Sequence, residues 1–196
     1  MQIHPLRLLV LAPFLFLTAG CALVRPASGP AQPAENQAVV VFVGRAAMAL
    51  LYDVSDGDQE IFIGISDPAT KVAYLSPAGR RRFMVVGETA DFLDADLVAG
   101  KTYYALVTSR PGWVAARYSF RPVRRSEAGG GREAQWIADA QWVEPNERGQ
   151  KYASDHSRHA HAKKLGNLPK HDRRGDAVNL SSRAGLGTRG PYQRPC

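Results

Sequence analysis

The residues with the clearest potential for chemistry lie near the start of the chain, where a cysteine follows a short apolar segment. Arg7 precedes an apolar run over residues 8–17, and the small residues Ala19 and Gly20 lead directly to Cys21. A basic start, a short apolar run and small residues before a cleavage point form the layout of a secretory signal peptide. The run is about half the ~20 residues that a membrane-spanning helix needs, so we predict that residues 1–20 are not a permanent span.

The order Leu17-Thr18-Ala19-Gly20-Cys21 resembles the signal of bacterial lipoproteins. The resemblance implies that the Cys21 thiol is alkylated with diacylglycerol, that the chain is cut before Cys21, and that the new amino group is acylated. One acyl chain holds a protein at a membrane only marginally, whereas two or three chains anchor it stably. Thr18 departs from the pattern, because leucine is commoner there. The alternative is an ordinary secretory signal cut near Ala19, which would leave Cys21 as a free thiol.

Three histidines form the other group that could do chemistry, and all lie late in the chain: His156, His159 and His161. On a helix, His156 and His159 share a face while His161 points elsewhere. A structural zinc site needs four ligands, and apart from Asp155 neither a cysteine nor a close carboxylate completes this one. We therefore predict no metal site, no cofactor and no catalytic residue. A metal-dependent hydrolase is the least favoured alternative.

Two acidic segments are candidates for binding a cation. The first spans residues 53–60 and contains the turn dipeptide Asp56-Gly57, so we predict a hairpin turn there. The second consists of Asp91, Asp94 and Asp96. It lacks the glycine turn and the bidentate glutamate of calcium loops, so we predict a solvated loop.

Basic residues occur in two short clusters and in the tail. The clusters are Arg80-Arg81-Arg82 and Arg121 with Arg124-Arg125. We interpret them as strand-edge charges that prevent edge pairing, and the alternative is contact with lipid head groups or anionic glycans.

The net charge of +7 is confined to one part of the chain. Residues 1–144 contain fourteen basic and fourteen acidic residues, and residues 145–196 contain eleven and four. A basic tail binds polyanions non-specifically, but the export signal removes nucleic acid as a partner. Cys196 has no disulfide partner in the chain if Cys21 is lipidated.

Short β-branched and aromatic runs recur from residue 38 onward and are separated by turn residues. They predict eight strands, at 38–43, 48–54, 60–65, 71–75, 82–86, 95–98, 102–107 and 113–121, with a further strand at 141–143. Such spacing is typical of an antiparallel β-sandwich, here of about seven to nine strands. Because side chains alternate along a strand, one of Tyr103 and Tyr104 should enter the core and the other should face solvent or the extension. We expect these side chains to share one core: Phe42, Phe62, Phe83, Tyr104 and Val107.

The sequence therefore predicts five segments: a signal peptide (1–20), a linker (21–37), a mostly-β sandwich (38–125), an extension (126–165) and a disordered basic tail (166–196). Three prolines predict a partly extended linker. In the extension we predict helical turns at 133–139 and a helix at 147–165, capped by Asn146 and weakened by Gly149. That helix has little apolar surface, so it should be solvated or rest lightly on the sandwich.

Several short motifs carry a wider resemblance between residues 39 and 165. They stand in this order: Val39-Val40-Val41-Phe42, Asp53-Val54, Phe62-Ile63-Gly64, Lys71-Val72-Ala73-Tyr74, Pro77-Ala78-Gly79, Phe83-Met84-Val85, Glu88 with Ala90-Asp91-Phe92, Ala99-Gly100-Lys101-Thr102-Tyr103-Tyr104, Gly112-Trp113 and Phe120-Arg121-Pro122-Val123. In this order they resemble uncharacterised proteobacterial lipoproteins with a small β-sandwich domain of unknown function. The resemblance implies a fold and a cellular address, and no activity.

These observations predict a non-catalytic envelope lipoprotein, a binding or structural module tethered by acylated Cys21. Ala22 follows the cysteine in place of the aspartate that retains lipoproteins at the inner membrane, which favours the periplasmic face of the outer membrane. Anionic lipid, lipopolysaccharide or glycan would be partners of the tail. The alternative is an adaptor subunit of an envelope protein complex, which an exposed apolar patch on one sheet would indicate.

Overall fold

A computed structural model describes residues 22–57, 59–87, 89–110, 117–167 and 178–179. Cys21, Trp113 and most of the basic tail lie outside the described residues. Fifteen elements follow in chain order: β1 (Val24–Pro26), β2 (Gln37–Gly44), β3 (Ala49–Asp53), β4 (Ile61–Ser66), β5 (Thr70–Pro77), β6 (Gly79–Val86), β7 (Ala90–Leu97), β8 (Thr102–Arg110), β9 (Arg117–Pro122), α1 (Arg125–Gly129), α2 (Gly131–Asp139), β10 (Gln141–Pro145), α3 (Glu147–Asp155), α4 (Ser157–Asn167) and β11 (Val178–Asn179).

The strands form two sheets, which confirms the predicted mostly-β sandwich. The first sheet has the order β1-β10-β5-β2-β8-β9 and the second has the order β11-β7-β6-β3-β4. Most neighbours are antiparallel, but the pairs β2–β8, β5–β10 and β7–β11 are parallel. Strand β7 starts at Ala90, five residues before the predicted start at Ala95.

The space between the sheets holds the main core, and strand alternation decides which side chains enter it. Ala38, Val40 and Phe42 of β2 point inward, while Val39, Val41 and Val43 face the opposite side. From the second sheet, Phe83 of β6 enters the same core. The two faces of β2 are thus buried in different clusters, which explains its unbroken run of β-branched residues.

Helices cover the outer face of each sheet. Helices α1 and α2 lie against the first sheet, where Ala128 and Trp136 pack on the outward side chains of β2. Helices α3 and α4 lie against the second sheet, where Ala153 and Ala160 join the cluster around Tyr52 and Met84. The two small alanine side chains let the helices approach closely, although this segment carries few large apolar residues.

Two members of the predicted core lie elsewhere. Phe62 is half-buried and packs with Tyr52 on the outer face of the second sheet. Tyr104 packs against the cluster beneath α1 and α2, whereas its neighbour Tyr103 is buried between the sheets and its hydroxyl accepts the Val98 N–H at 2.8 Å. The prediction that the two tyrosines face opposite sides is confirmed, but Tyr103 is the core member.

The helix predicted at 147–165 is divided into α3 and α4 at His156. The Asn146 side chain caps α3 as predicted, because its Oδ1 accepts the Gly149 N–H at 2.9 Å. Two residues of the tail predicted to be disordered form β11 beside β7.

Part of the predicted linker is a strand of the first sheet. Val24–Pro26 form β1 and pair antiparallel with β10. Asn146 holds the start of this segment twice: its Nδ2 donates to the Ala22 carbonyl at 2.8 Å and its N–H donates to the Leu23 carbonyl at 3.1 Å. The composition did not indicate this strand, because three prolines and the lack of apolar periodicity are typical of a linker.

Gly149 permits this docking, and we expect Gly149→Ala to destabilise the protein. A Cβ at Gly149 would lie 2.1 Å from the Leu23 carbonyl oxygen, so the backbone of one segment would have to move. Overpacking of this kind costs about 1–3 kcal/mol, although alanine is the better helix former by about 0.8–1 kcal/mol.

The matched control is Gly166→Ala in α4, where an added Cβ has no neighbour within 4 Å among the described residues. Urea unfolding should show lower stability for Gly149→Ala and equal or higher stability for Gly166→Ala. Equal gains in both variants would contradict the close contact with Leu23.

Candidate functional site

The outer face of the first sheet carries a cleft beside α2, and Lys71 holds that helix in place. Lys71 Nζ donates to the Ile137 carbonyl at 2.6 Å and lies 4.7 Å from the ring centre of Trp142. A cation near the carboxyl end of a helix is favourable, because unpaired carbonyls point there. Burial lowers the pKa of Lys71, and the nearby charge of Asp139 opposes that shift.

The cleft, here called the Trp136 cleft, has a volume of about 330 Å³. It lies where α2 meets β8 and the segment after β2. Its lining includes Arg45, Thr108, Arg121, Arg132, Glu133 and Trp136. Three arginines and one glutamate give this lining a net positive charge.

Arg121 is already compensated by acidic partners. Its guanidinium contacts Glu127 Oε1 at 3.2 Å and Glu133 Oε1 at 2.9 Å. Burial would raise the pKa of Glu127, but the Arg124 N–H and the Arg121 side chain lower it below its usual value. This part of the predicted basic cluster therefore ties α1 and α2 to β9.

Arg45 and Arg132 are stacked on the indole instead of being paired with carboxylates. Their guanidinium carbons lie 4.2 and 4.9 Å from the ring centre of Trp136. Within the described part of the chain, neither arginine takes part in an ion pair. The arrangement leaves two positive charges at the cleft that no carboxylate of the described residues pairs with.

A second cavity, of about 300 Å³, lies between the second sheet and the helices α3 and α4. His156 and His159 both line it, on one side as predicted, although His156 lies at the break between α3 and α4. The His156 ring stacks on Tyr152 with centres 4.0 Å apart, and Lys163 Nζ donates to the Gly87 carbonyl. Among the described residues, no three His, Cys, Asp or Glu side chains are grouped so as to hold a metal ion.

His161 points away from this cavity and joins a polar cluster that holds α4 to the β3–β4 loop. Its Nδ1 lies 2.8 Å from Glu60 Oε1, and Lys164 Nζ lies 2.9 Å from the same oxygen. Lys164 also donates to the Gly57 carbonyl at 2.5 Å. Burial alone would raise the pKa of Glu60, but the contacts with Lys164 and His161 lower it below its ordinary value.

This cluster predicts an acid-dependent attachment of α4. Since the folded state lowers the pKa of Glu60, its stabilising contribution is present above the unfolded value, near 4.5, and is lost as the pH falls through the folded value. We expect Glu60→Gln to reduce stability at pH 7 and to flatten the loss between about pH 5 and pH 3. Urea midpoints across this range test it, and an unchanged pH profile would contradict the role of Glu60.

The acidic segments serve the fold. Asp53 is buried, and its carboxylate accepts from the Ser55 N–H at 3.0 Å and the Tyr74 hydroxyl at 3.1 Å. Arg81 lies 3.4 Å from the same carboxylate. Burial, followed by the charge of Asp53, raises the pKa of Tyr74 to about 12.

The solvated loop predicted for the three aspartates is wrong, because all three lie on β7. Asp94 is buried and accepts two hydrogen bonds from Arg82, at 2.5 and 2.7 Å. Asp91 accepts the Phe120 N–H at 3.2 Å across to the other sheet. Strand β6 lies inside its sheet, so the interpretation of Arg80-Arg81-Arg82 as edge charges is also wrong. Arg81 and Arg82 instead pair with buried carboxylates.

Sequence reasoning missed the Trp136 cleft. Arg45 stands alone after β2, and Arg132 stands in a glycine-rich break, so neither belongs to a cluster along the chain. The one local signal is the spacing of Arg132 and Trp136, four residues apart on a helix, which places them on one face.

Comparisons with protein-family models, with curated proteins and with solved structures found no match to this chain. In the part of the chain that the structure describes, the helices are too short or too polar to cross a bilayer.

Proposed function

We propose that the protein is a non-catalytic envelope lipoprotein, a β-sandwich module held at the membrane by acylated Cys21. The sequence from Leu17 to Cys21 supports the anchor, and the resemblance to uncharacterised proteobacterial lipoproteins supports the class. Ala22 after the cysteine supports the periplasmic face of the outer membrane as the location.

The sequence from Leu17 to Cys21 carries the proposal, and the structure adds the docking of the residues that follow Cys21. Ala22 and Leu23 are hydrogen-bonded to Asn146, and Val24–Pro26 belong to the first sheet. An extended residue spans at most about 3.6 Å, so acyl chains on Cys21 would begin within a few ångströms of the domain. The module would therefore lie against the bilayer, near the start of α3, rather than on a long tether.

Extraction of isolated envelopes tests this proposal. The protein should remain in the membrane after washes with about 1 M salt, because acyl chains are insensitive to screening. It should sediment with the outer membrane on a density gradient. Release by salt would contradict the anchor, and sedimentation with the inner membrane would contradict the location.

In this proposal the basic tail makes a second, electrostatic contact with the anionic membrane surface. Residues 168–196 contain six basic and two acidic residues. Each lysine or arginine near an anionic membrane contributes about 1 kcal/mol, and salt screens this attraction over about 8–10 Å.

Truncation after Asn167 removes the two residues of β11 but should keep the rest of both sheets and the anchor, and it should weaken salt-sensitive binding to anionic vesicles. A cut after Glu144, where the net charge begins, would also remove α3 and α4 from the second sheet. Vesicle co-sedimentation of residues 22–196 and of residues 22–167, both without the signal peptide and Cys21, measures the difference at low salt and at about 0.5 M. Equal binding by both chains would show that the tail is passive.

A further inference from the structure

We propose that the Trp136 cleft binds a phosphate monoester, with the guanidinium groups of Arg45 and Arg132 as its ligands. The proposal is independent of the lipid anchor, because it depends on side chains on the outer face of the first sheet.

The first step is the closeness of two uncompensated charges. Since both guanidinium carbons lie within 5 Å of one indole centre, they are within about 9 Å of each other. That separation is below the Debye length of about 10 Å at 0.1 M salt, so the two charges repel each other. Both side chains line the same cleft, and an anion bound by both guanidinium groups would turn this repulsion into attraction.

The second step is orientation. A guanidinium stacked on an aromatic face keeps its N–H donors in its own plane, where they are available to oxygen acceptors. Trp136 is itself half-buried, and Lys71 holds the carboxyl end of its helix through the Ile137 carbonyl. Both guanidinium groups are exposed to solvent, and their contact with the half-buried indole restricts their orientation, which lowers the entropy lost on binding.

The third step selects the ligand. A carboxylate carries one negative charge, whereas a phosphate monoester carries about −1.5 to −2 at pH 7 and three acceptor oxygens. The charge of the phosphate monoester therefore balances the two positive charges of Arg45 and Arg132. Glu133 does not compete, because it is engaged by Arg121 at 2.9 Å. The volume of about 330 Å³ accommodates a group larger than phosphate alone, such as a sugar or a glycerol.

The test uses the full chain in detergent micelles at about 50 mM salt, where screening is weak. Calorimetric titrations with inorganic phosphate, glucose 1-phosphate and dihexanoyl phosphatidic acid identify the source of the phosphate. Tighter binding of the sugar phosphate indicates a soluble or glycan-borne ligand, and tighter binding of the short-chain lipid indicates a head group. Equal binding of all three indicates recognition of the phosphate alone. Binding of none of them overturns the proposal.

Variants then locate the site. The double variant Arg45→Gln, Arg132→Gln should lower affinity at least about tenfold, because both charge-assisted contacts are lost. The matched control is Arg80→Gln, which removes an exposed arginine from the other sheet and should change affinity less than about twofold. An equal loss in both proteins would mean non-specific attraction and would overturn the site.

A measurement on the unaltered protein tests the site even if the double variant does not fold. The indole N–H resonance of Trp136, assigned with Trp136→Phe, should shift on addition of glucose 1-phosphate and saturate at the calorimetric affinity. A resonance that does not move during a titration with measurable binding would place the ligand elsewhere and overturn the proposal.

Discussion

Replacing Cys21 by serine is expected to abolish acyl labelling and to leave the uncut precursor in the cell. The thioether formed at the cysteine is what the lipoprotein signal peptidase requires, and serine cannot supply it. The effect should be complete, because the stable membrane attachment of this class depends on two or three acyl chains on one residue. Metabolic labelling with a fatty acid, followed by immunoprecipitation, measures both the label and the size of the chain.

The matched control is Cys196→Ser, which removes the other cysteine of the chain. That variant should be labelled and processed as the parent is. Normal processing of Cys21→Ser to a soluble periplasmic product would refute the anchor and favour an ordinary secretory signal.

The second large effect is expected from Phe83→Ala, which should lower the free energy of unfolding by about 3–5 kcal/mol. The Phe83 side chain is fully buried, and its ring centre lies 5.4 Å from that of Phe42 and 6.2 Å from that of Tyr74. Removing the ring leaves a cavity between the sheets that the rigid strands cannot close. Since most domains are stable by only about 5–15 kcal/mol, a large share of the total would be lost.

Phe62→Ala is the matched control, because it deletes the same ring from the outer face of the second sheet. Phe62 is half-buried and has a tilted contact with Tyr52 at 5.6 Å, so its loss should cost less than half as much. Urea unfolding, read as the shift in midpoint at constant slope, compares the two. A cost for Phe83→Ala no larger than that for Phe62→Ala would mean that the core is misplaced.

Most strands could be predicted from the sequence, because β-branched runs and turn residues are local signals. Strand β2 shows this well: its run from Val39 to Val43 is apolar on both faces, and both faces are buried. The start of β7 could not be predicted in this way, because local sequence does not show that its aspartates are paired. Its aspartates read as solvent-facing, and only Arg82 on the neighbouring strand makes burial of Asp94 favourable.

The docking of the N-terminal segment could not be predicted, because its partners are distant in sequence. Strand β1 is only three residues long and forms by pairing with β10. In the sequence alone, Gly149 only weakens a helix, and its close contact with Leu23 becomes evident in the structure. The two candidate sites also differ in whether local sequence identifies them. Cys21 is identified by its immediate neighbours, whereas the Trp136 cleft is assembled from a loop, a strand and a helix, and no local pattern encodes it.

Mass spectrometry of the mature N-terminus tests the central claim, a module anchored through Cys21, most directly. The N-terminal peptide of the protein isolated from envelopes should begin at Cys21 and carry the mass of a diacylglyceryl group and an amide-linked acyl chain. A peptide that begins at another residue, or an unmodified Cys21, would contradict the anchor.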